Sequence, residues 1–551
     1  MSAAGWVQAA FVLAVVVALH VPLGNYLARV CTAEQHWRVE RWLYRCCGVD
    51  PDAEQRWTFY ARSLLSFSAV GVLGLYAVLR LQAYLPLHLG HTGMPAPLAF
   101  NTAVSFTTNT SWQNYPGEAT LGHLALAVGL GTQAFASAAV GLAAGVALIR
   151  GLVRQRTDQL GNFWVDLVRS AVRVLLPLAA VSAVVLIVLG VVQNLSGGQT
   201  YPTMSGGQQS ILGGPVASWE SIKLLSGDGG GIFNANSAHP FENPTALTNL
   251  IEIVLMLLLP TAFIRAYGRM VGDRRQGWAL LAVAGVLFVG AFAVTAAAQT
   301  VPHNTVPAAV GAAVEGTETR FGVAGSALFG VAATGSADGA ANSSYDSFTS
   351  IGGGMLMATI MLGEVSPGGA GSGLYGLLML ALLAVFLGGL LVGRTPEFLR
   401  KSIQAREIKL VSLYVLTTPA LILVGTALAM ALPAGRAGIG NPGAHGLSEV
   451  AYAFTSSTNS NGSAFGGFTG NTDFGNVALA IVMLAGRYLP MIFVLALAGS
   501  LAGQRRGVVT NGTLPTHKPL FVGLVTVSVV VFTALDFVLV LALGPLAEAL
   551  Q

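Results

Sequence analysis

The chain has 551 residues, of which 54% are hydrophobic and only 9% charged, with a formal net charge of +4. A soluble surface needs roughly a quarter of its residues charged, so this composition excludes an ordinary soluble domain. It also excludes a nucleic-acid-binding module, which would present a basic face on a soluble fold.

Apolar runs long enough to cross a bilayer recur along the chain. They predict ten spans at 5–28, 62–82, 121–149, 170–193, 247–268, 277–299, 373–393, 409–432, 477–501 and 520–545. The first run lacks a positive n-region and reads as a retained span, not a cleaved signal. The expected class is therefore an all-α integral membrane protein. Cys31, Cys46 and Cys47 precede the second span in no zinc-site spacing and read as reduced cytoplasmic thiols.

Basic residues sort to one side. The connections after spans one, three, five, seven and nine, with the adjoining span ends, hold 23 of the 28 Lys and Arg residues, Arg29, Arg154, Arg269, Arg394, Lys401 and Arg506 among them. Arg80, Lys223, Arg320 and Arg436 fall on the other side. The positive-inside rule puts the rich side in the cytoplasm and both termini outside.

Four connections on the outer side are long (83–120, 194–246, 300–372 and 433–476) yet poor in charge. Solvated loops of that length are polar, and disordered ones are charged. Each instead holds a short apolar stretch and then a cluster of small and amide residues: 97–106 then 107–112, 219–225 then 226–231, 326–333 then 334–339, and 448–454 then 455–462. The clusters recur at intervals of about 110–125 residues, which predicts an internal repeat of span, short helix, extended loop, span. The repeats are expected at 62–149, 170–268, 277–393 and 409–501, with spans 1–28 and 520–545 flanking them.

A cation that sheds its water in a membrane needs replacement oxygen ligands, and rings of backbone carbonyls supply them. Glycine, Ser, Thr and Asn permit the tight extended backbone this requires. Non-helical backbone is tolerated at membrane depth only inside protein or along a water-filled cavity. Short helices aimed at the axis would also present their negative dipole ends. Four such loops on one face point to a single cation pore; the alternative is ordinary flexible external loops or Gly-rich helix-packing segments.

Residues 106–113 (FTTNTSWQ), 228–244 (DGGGIFNANSAHPFENP), 346–349 (DSFT), 393–397 (GRTPE), 459–465 (NSNGSAF) and 512–517 (GTLPTH) resemble the KdpA family, the potassium-binding subunits of potassium-transporting ATPases. The resemblance runs from the first span to the last. It implies a member of the K⁺-transporter superfamily with four membrane–pore–membrane repeats. Such a protein takes external K⁺ through a channel-like filter and passes it along an intramembrane tunnel to a P-type ATPase subunit. A single-span accessory subunit and a small membrane peptide complete the complex. K⁺ is the cargo, and no cofactor or transition metal is implied.

Matched residue by residue, the resemblance puts the filter at Asn109-Thr110-Ser111, Gly227-Asp228-Gly229, Ala337-Asp338-Gly339 and Ser460-Asn461-Gly462. Asp228 stands where an amide is expected and Asp338 where a cysteine is expected. These carboxylates would raise the local negative potential, or else only hydrogen-bond the filter backbone or pair with a nearby cation. Gln113 matches a position at the filter mouth. Arg487, inside span nine, matches an arginine below the filter, where its charge would oppose leak; it could instead snorkel to a span end. Glu364 begins a Pro- and Gly-broken stretch (364–373) that resembles the family's broken helix near the tunnel exit.

His239 and Glu242 lack a third ligand at metal-site spacing. Asp536, in span ten, has no partner that the sequence identifies. ATP hydrolysis within the chain is disfavoured: it has neither a Gly-x-x-x-x-Gly-Lys-[Ser/Thr] loop nor an Asp-Lys-Thr-Gly-Thr motif. Two other readings stand beside the pump subunit, a self-sufficient K⁺ channel or ion-coupled symporter, and a secondary transporter for an organic solute.

Overall fold

A computed structural model describes residues 3–301, 312–391, 393, 396–507 and 514–550. Arg394 and Thr395 of the fifth motif, and Gly512 and Thr513 of the sixth, lie outside the described residues. Among the described residues, ten helices have the length and apolarity to cross a membrane: Gly5–Cys31, Trp57–Tyr84, Ala125–Val153, Phe163–Val188, Ala246–Met270, Arg274–Gln299, Ser372–Leu391, Ala405–Ala431, Asp473–Gly503 and Pro519–Ala549. Four of them start where a side chain satisfies an open backbone N–H: Asn162 accepts from Trp164, Thr245 from Thr248, Asp273 from Arg275 and Thr472 from Gly475. Proline lies inside spans one, five, eight and nine (Pro22, Pro260, Pro419, Pro490), as membrane helices allow.

The fourth span begins at Phe163, not at residue 170. Arg169 and Arg173 read as loop charges in the sequence, yet both are buried in that helix. Arg173 pairs with the buried carboxylate of Glu40, which removes the charge that would otherwise end the span. Glu40 sits on the short helix Arg38–Cys47, whose Val39 and Trp42 are exposed; hydropathy alone does not mark this helix.

Between spans two and three, four and five, six and seven, and eight and nine lies a shorter helix: Ala96–Thr107, Val216–Ser226, Gly322–Gly335 and Gly443–Asn459. In every pair the span after the short helix is the more buried, 83% against 22%, 78% against 33%, 67% against 56% and 50% against 28%. Within each pair, spans three, five, seven and nine therefore lie further inward than the span before the short helix, although span six is itself more than half buried.

Small residues let these inner spans pack closely. A Cβ on Gly141 of span three would lie 2.5 Å from the Ala370 carbonyl, and one on Gly486 of span nine 2.0 Å from the Thr458 carbonyl at the end of the fourth short helix. Ahead of span seven, the helix Ser350–Met361 stops and regular structure resumes only at Ser372, the broken element expected there. On the basic side, Arg150 grips Asp166 through both guanidinium nitrogens at 2.5 and 2.8 Å. The fully buried Lys401 donates to the carbonyls of Arg154, Leu501 and Gln504 at 2.7–2.8 Å, capping the ends of spans three and nine.

Candidate ion-binding site

The four short helices end in the same way. The first residue past each turn is left-handed: Asn109 (φ 63°), Gly227 (66°), Ala337 (58°) and Ser460 (66°). The next residue in each case returns its N–H to a carbonyl five positions back: Thr110 to Ser105 at 2.9 Å, Asp228 to Lys223 at 3.1 Å, Asp338 to Ala333 at 3.0 Å and Asn461 to Ser456 at 2.9 Å. This is the six-to-one bond of a Schellman helix end. Four segments of unlike sequence thus share one backbone path, and its register is the one the family resemblance implies.

The segments close into a ring. The first meets the second where Asn109 Nδ2 donates to the Gly227 carbonyl at 2.5 Å and the Ser111 hydroxyl to Asp228 Oδ1 at 2.5 Å. The second meets the third through the Gly339 N–H and the Asp228 carbonyl, 3.1 Å apart. The third meets the fourth through Asn461 Nδ2 and the Ala333 carbonyl, at 3.2 Å. The fourth meets the first at Gly462, where a Cβ would lie 2.0 Å from the Thr110 carbonyl and φ is +96°. Glycine is required there on both counts.

The side chains of Asp228 and Asp338 serve this framework. Asp228 accepts from Ser111 and, at 3.0 Å, from the Ser226 hydroxyl. Asp338 accepts the Ala340 N–H at 2.9 Å and leaves Oδ2 without a hydrogen-bond partner among the described residues. Both carboxylates are fully buried. Of the readings open in the sequence, hydrogen bonding to the filter backbone describes Asp338; the Asp228 side chain instead accepts from hydroxyls, which those readings do not include.

Cavities lie on both sides of the ring. On one side is a vestibule of about 670 Å³ that touches all four segments, at Ser111, Gly230, Gly339 and Gly462. Gln113 stands in it, half-buried, and accepts the Gly231 N–H at 2.7 Å. On the other side is a cavity of about 80 Å³ lined by Ser460, Glu364, Arg487 and, from span ten, Asp536. Arg487 is buried and does not snorkel; its Nη2 donates to the Ser137 carbonyl at 3.3 Å, and the Ser137 hydroxyl donates to Asn109 Oδ1 at 3.0 Å. Glu364 is buried in the helix break with φ 52°. The structure thus gathers the twelve segment residues into one ring and divides the other three between its two faces.

Outside the ring, His239 stacks on Phe233 with centroids 3.9 Å apart and accepts the Phe241 N–H, while Glu242 is buried without a hydrogen-bond partner among the described residues. Sequence reasoning does not single out Lys223, Asn236 or Ser137, which back the ring. The available signal was a lysine inside an apolar re-entrant helix.

This architecture defines a class: a multi-pass membrane protein with four re-entrant loops around one axis. Its fold matches that in "Crystal Structure of the Potassium Transporter TrkH from Vibrio parahaemolyticus" with a TM-score of 0.56 at 14% identity, covering 90% of this chain and 97% of that one. Residues 10–550 match the family described as KdpA, potassium-transporting ATPase A subunit. Similar relatives named potassium-transporting ATPase potassium-binding subunit include one from Kineococcus radiotolerans, 55% identical over 99% of this chain and 98% of its own length. Another, from Mycolicibacterium smegmatis, is 54% identical over 100% and 99%. The chain belongs to the KdpA family of potassium-transporting ATPases.

Proposed function

We propose that this chain is the K⁺-binding and translocating subunit of an ATP-driven potassium uptake complex, with ATP hydrolysed on a partner P-type ATPase subunit. The observation that carries the reading is the closed ring of four like-folded segments between a wide vestibule and a small inner cavity. Asn109-Thr110-Ser111, Gly227-Asp228-Gly229, Ala337-Asp338-Gly339 and Ser460-Asn461-Gly462 form the selectivity filter. Their carbonyls replace the hydration shell of a dehydrated cation, and the backbone bracing sets the spacing that favours K⁺. A carbonyl oxygen has two acceptor sites, so the Asp228 carbonyl keeps one for an ion while it holds the Gly339 N–H.

The ion reaches the filter past Gln113 and leaves it into the cavity of Glu364 and Arg487. Glu364 offers a carboxylate oxygen without a hydrogen-bond partner among the described residues. Arg487 opposes free flow onward. From there the ion passes along an intramembrane tunnel to the ATPase subunit. A single-span accessory subunit and a small membrane peptide complete the assembly. The four repeats are 62–149, 170–268, 277–393 and 409–501, with spans 1–28 and 520–545 flanking. The filter and both termini face outward across the inner membrane, since the basic residues gather on the other side.

Expression with its ATPase subunit tests this. A co-purified complex whose ATP hydrolysis is stimulated by K⁺ and not by Na⁺ is the expected result. Robust K⁺ uptake by the chain alone, without ATP, would establish a self-sufficient channel or symporter instead.

A further inference from the structure

Lys223 lies in the last turn of the second re-entrant helix and is 1% exposed. A buried ammonium at membrane depth is costly unless its hydrogens are placed. All three are used here: Nζ donates to Glu220 Oε1 at 2.6 Å, to Ser237 Oγ at 2.7 Å and to Asn236 Oδ1 at 2.9 Å. A plain intrahelical ion pair with Glu220 accounts for the first of these bonds and leaves the other two unexplained.

The Ser237 hydroxyl turns back to Glu220 Oε2 at 2.9 Å, and the Asn236 bond leads toward the ring. Asn236 sits in the loop beyond the second segment with φ 52°, and its Nδ2 donates to the Gly339 carbonyl at 2.7 Å. An amide that accepts from an ammonium at its oxygen is polarised to donate more strongly at its nitrogen. The carbonyl of Lys223 itself accepts the Asp228 N–H that shapes the second segment. One lysine therefore holds two adjacent ring segments, one through its backbone and one through Asn236.

We propose that Lys223 is a positioning residue for ion selection, which acts through Asn236 to fix the Gly339 carbonyl at the outer end of the ring. Asn236 takes one acceptor site of that carbonyl and leaves the second facing the ion path. A carbonyl pinned from behind cannot close in on a smaller cation, so the pin sets the contrast between K⁺ and Na⁺. The inference rests on the reading of the ring as a K⁺ filter.

The test uses the assembled complex, with half-saturating K⁺, maximal ATPase rate and Na⁺ stimulation as readouts. Lys223→Met is made together with Glu220→Gln, so that Glu220 is not left as a buried carboxylate stripped of its ammonium partner; Glu220→Gln alone and Asn236→Ala accompany it. Lys223→Met/Glu220→Gln and Asn236→Ala are each expected to raise half-saturating K⁺ about tenfold or more, with Na⁺ stimulation appearing and a much smaller fall in maximal rate. Combining all three changes should add nothing further, because the lysine works through the amide. The inference is overturned if Asn236→Ala leaves K⁺ affinity and Na⁺ rejection unchanged, or if the effects of the two sites simply add. If the lysine variant does not assemble, Asn236→Ala decides alone. A wild-type complex without K⁺ stimulation would refute the filter reading instead.

Discussion

The hydroxyl of Ser111 donates to Oδ1 of Asp228 at 2.5 Å, joining the first and second ring segments through a carboxylate that is fully buried. The Asp228 carboxylate is therefore a brace at a segment boundary. Replacing it with an amide keeps an acceptor for Ser111. Asp228→Asn should hold half-saturating K⁺ within a few-fold of wild type. Asp228→Ala leaves the Ser111 hydroxyl without its acceptor, whereas Ser226 keeps the Ile222 carbonyl at 2.6 Å; a loss of about 1–3 kcal/mol should weaken K⁺ affinity roughly 10–100-fold. K⁺ titration of ATPase activity in the complex measures both. An alanine variant as tight as wild type would show that the brace is dispensable.

Gly462 has no room for a methyl group, because a Cβ there would sit 2.0 Å from the Thr110 carbonyl and φ is +96°. Gly462→Ala must push the fourth segment off the first. K⁺-stimulated ATPase activity should disappear while the complex still assembles, since the change lies in the ring and not between spans. Normal K⁺ stimulation in that variant would mean that the ring tolerates a gap between these segments.

Much of this was legible in the sequence, for a physical reason. Charge-poor outer connections with Gly, Ser and Asn clusters favour re-entrant segments over ordinary loops, and their four-fold spacing favours one shared axis. The register of Asn109, Gly227, Ala337 and Ser460 followed from the resemblance, and the shared left-handed turn explains why such different residues occupy one position. The start of span four was not legible, because the partner that neutralises Arg173 is Glu40, 133 residues away. The Lys223–Asn236–Gly339 chain was hidden likewise: a lysine in an outer connection reads as solvated until its three acceptors are seen.

Arg487 lies below the ring and is tied to it through Ser137 and Asn109. Arg487→Ala removes a positive charge from the inner cavity and loosens that tie. Release of bound ⁸⁶Rb⁺ from the complex should accelerate about tenfold or more, and Arg487→Lys should restore part of the retention. Unchanged release and unchanged K⁺ affinity in the alanine variant would remove the barrier role.

On the fourth short helix the protonated His445 donates from both ring nitrogens, to Asp346 at 3.0 Å and to Glu548 at 3.0 Å, with Glu449 close by. The hydrogen bonds to Asp346 and Glu548 push its imidazolium up to about 10 from an ordinary 6.5. Because the folded state holds this proton more tightly, the stabilising contribution is complete below about pH 6.5 and is lost as pH rises through about 10. The melting temperature of the purified protein should fall from pH 7 to pH 10, and His445→Gln should flatten that slope. A slope unaffected by the substitution would place the pH response elsewhere.

The central claim is that the four segments form one K⁺ site. Thallium(I), a K⁺ surrogate with a strong anomalous signal, locates such a site directly in crystals of the assembled complex. The account predicts anomalous density on the ring axis, among the backbone carbonyls of Asn109-Thr110, Gly227-Asp228, Ala337-Asp338 and Ser460-Asn461, that K⁺ displaces and Na⁺ does not. An empty ring, with thallium bound elsewhere in the chain, would contradict it.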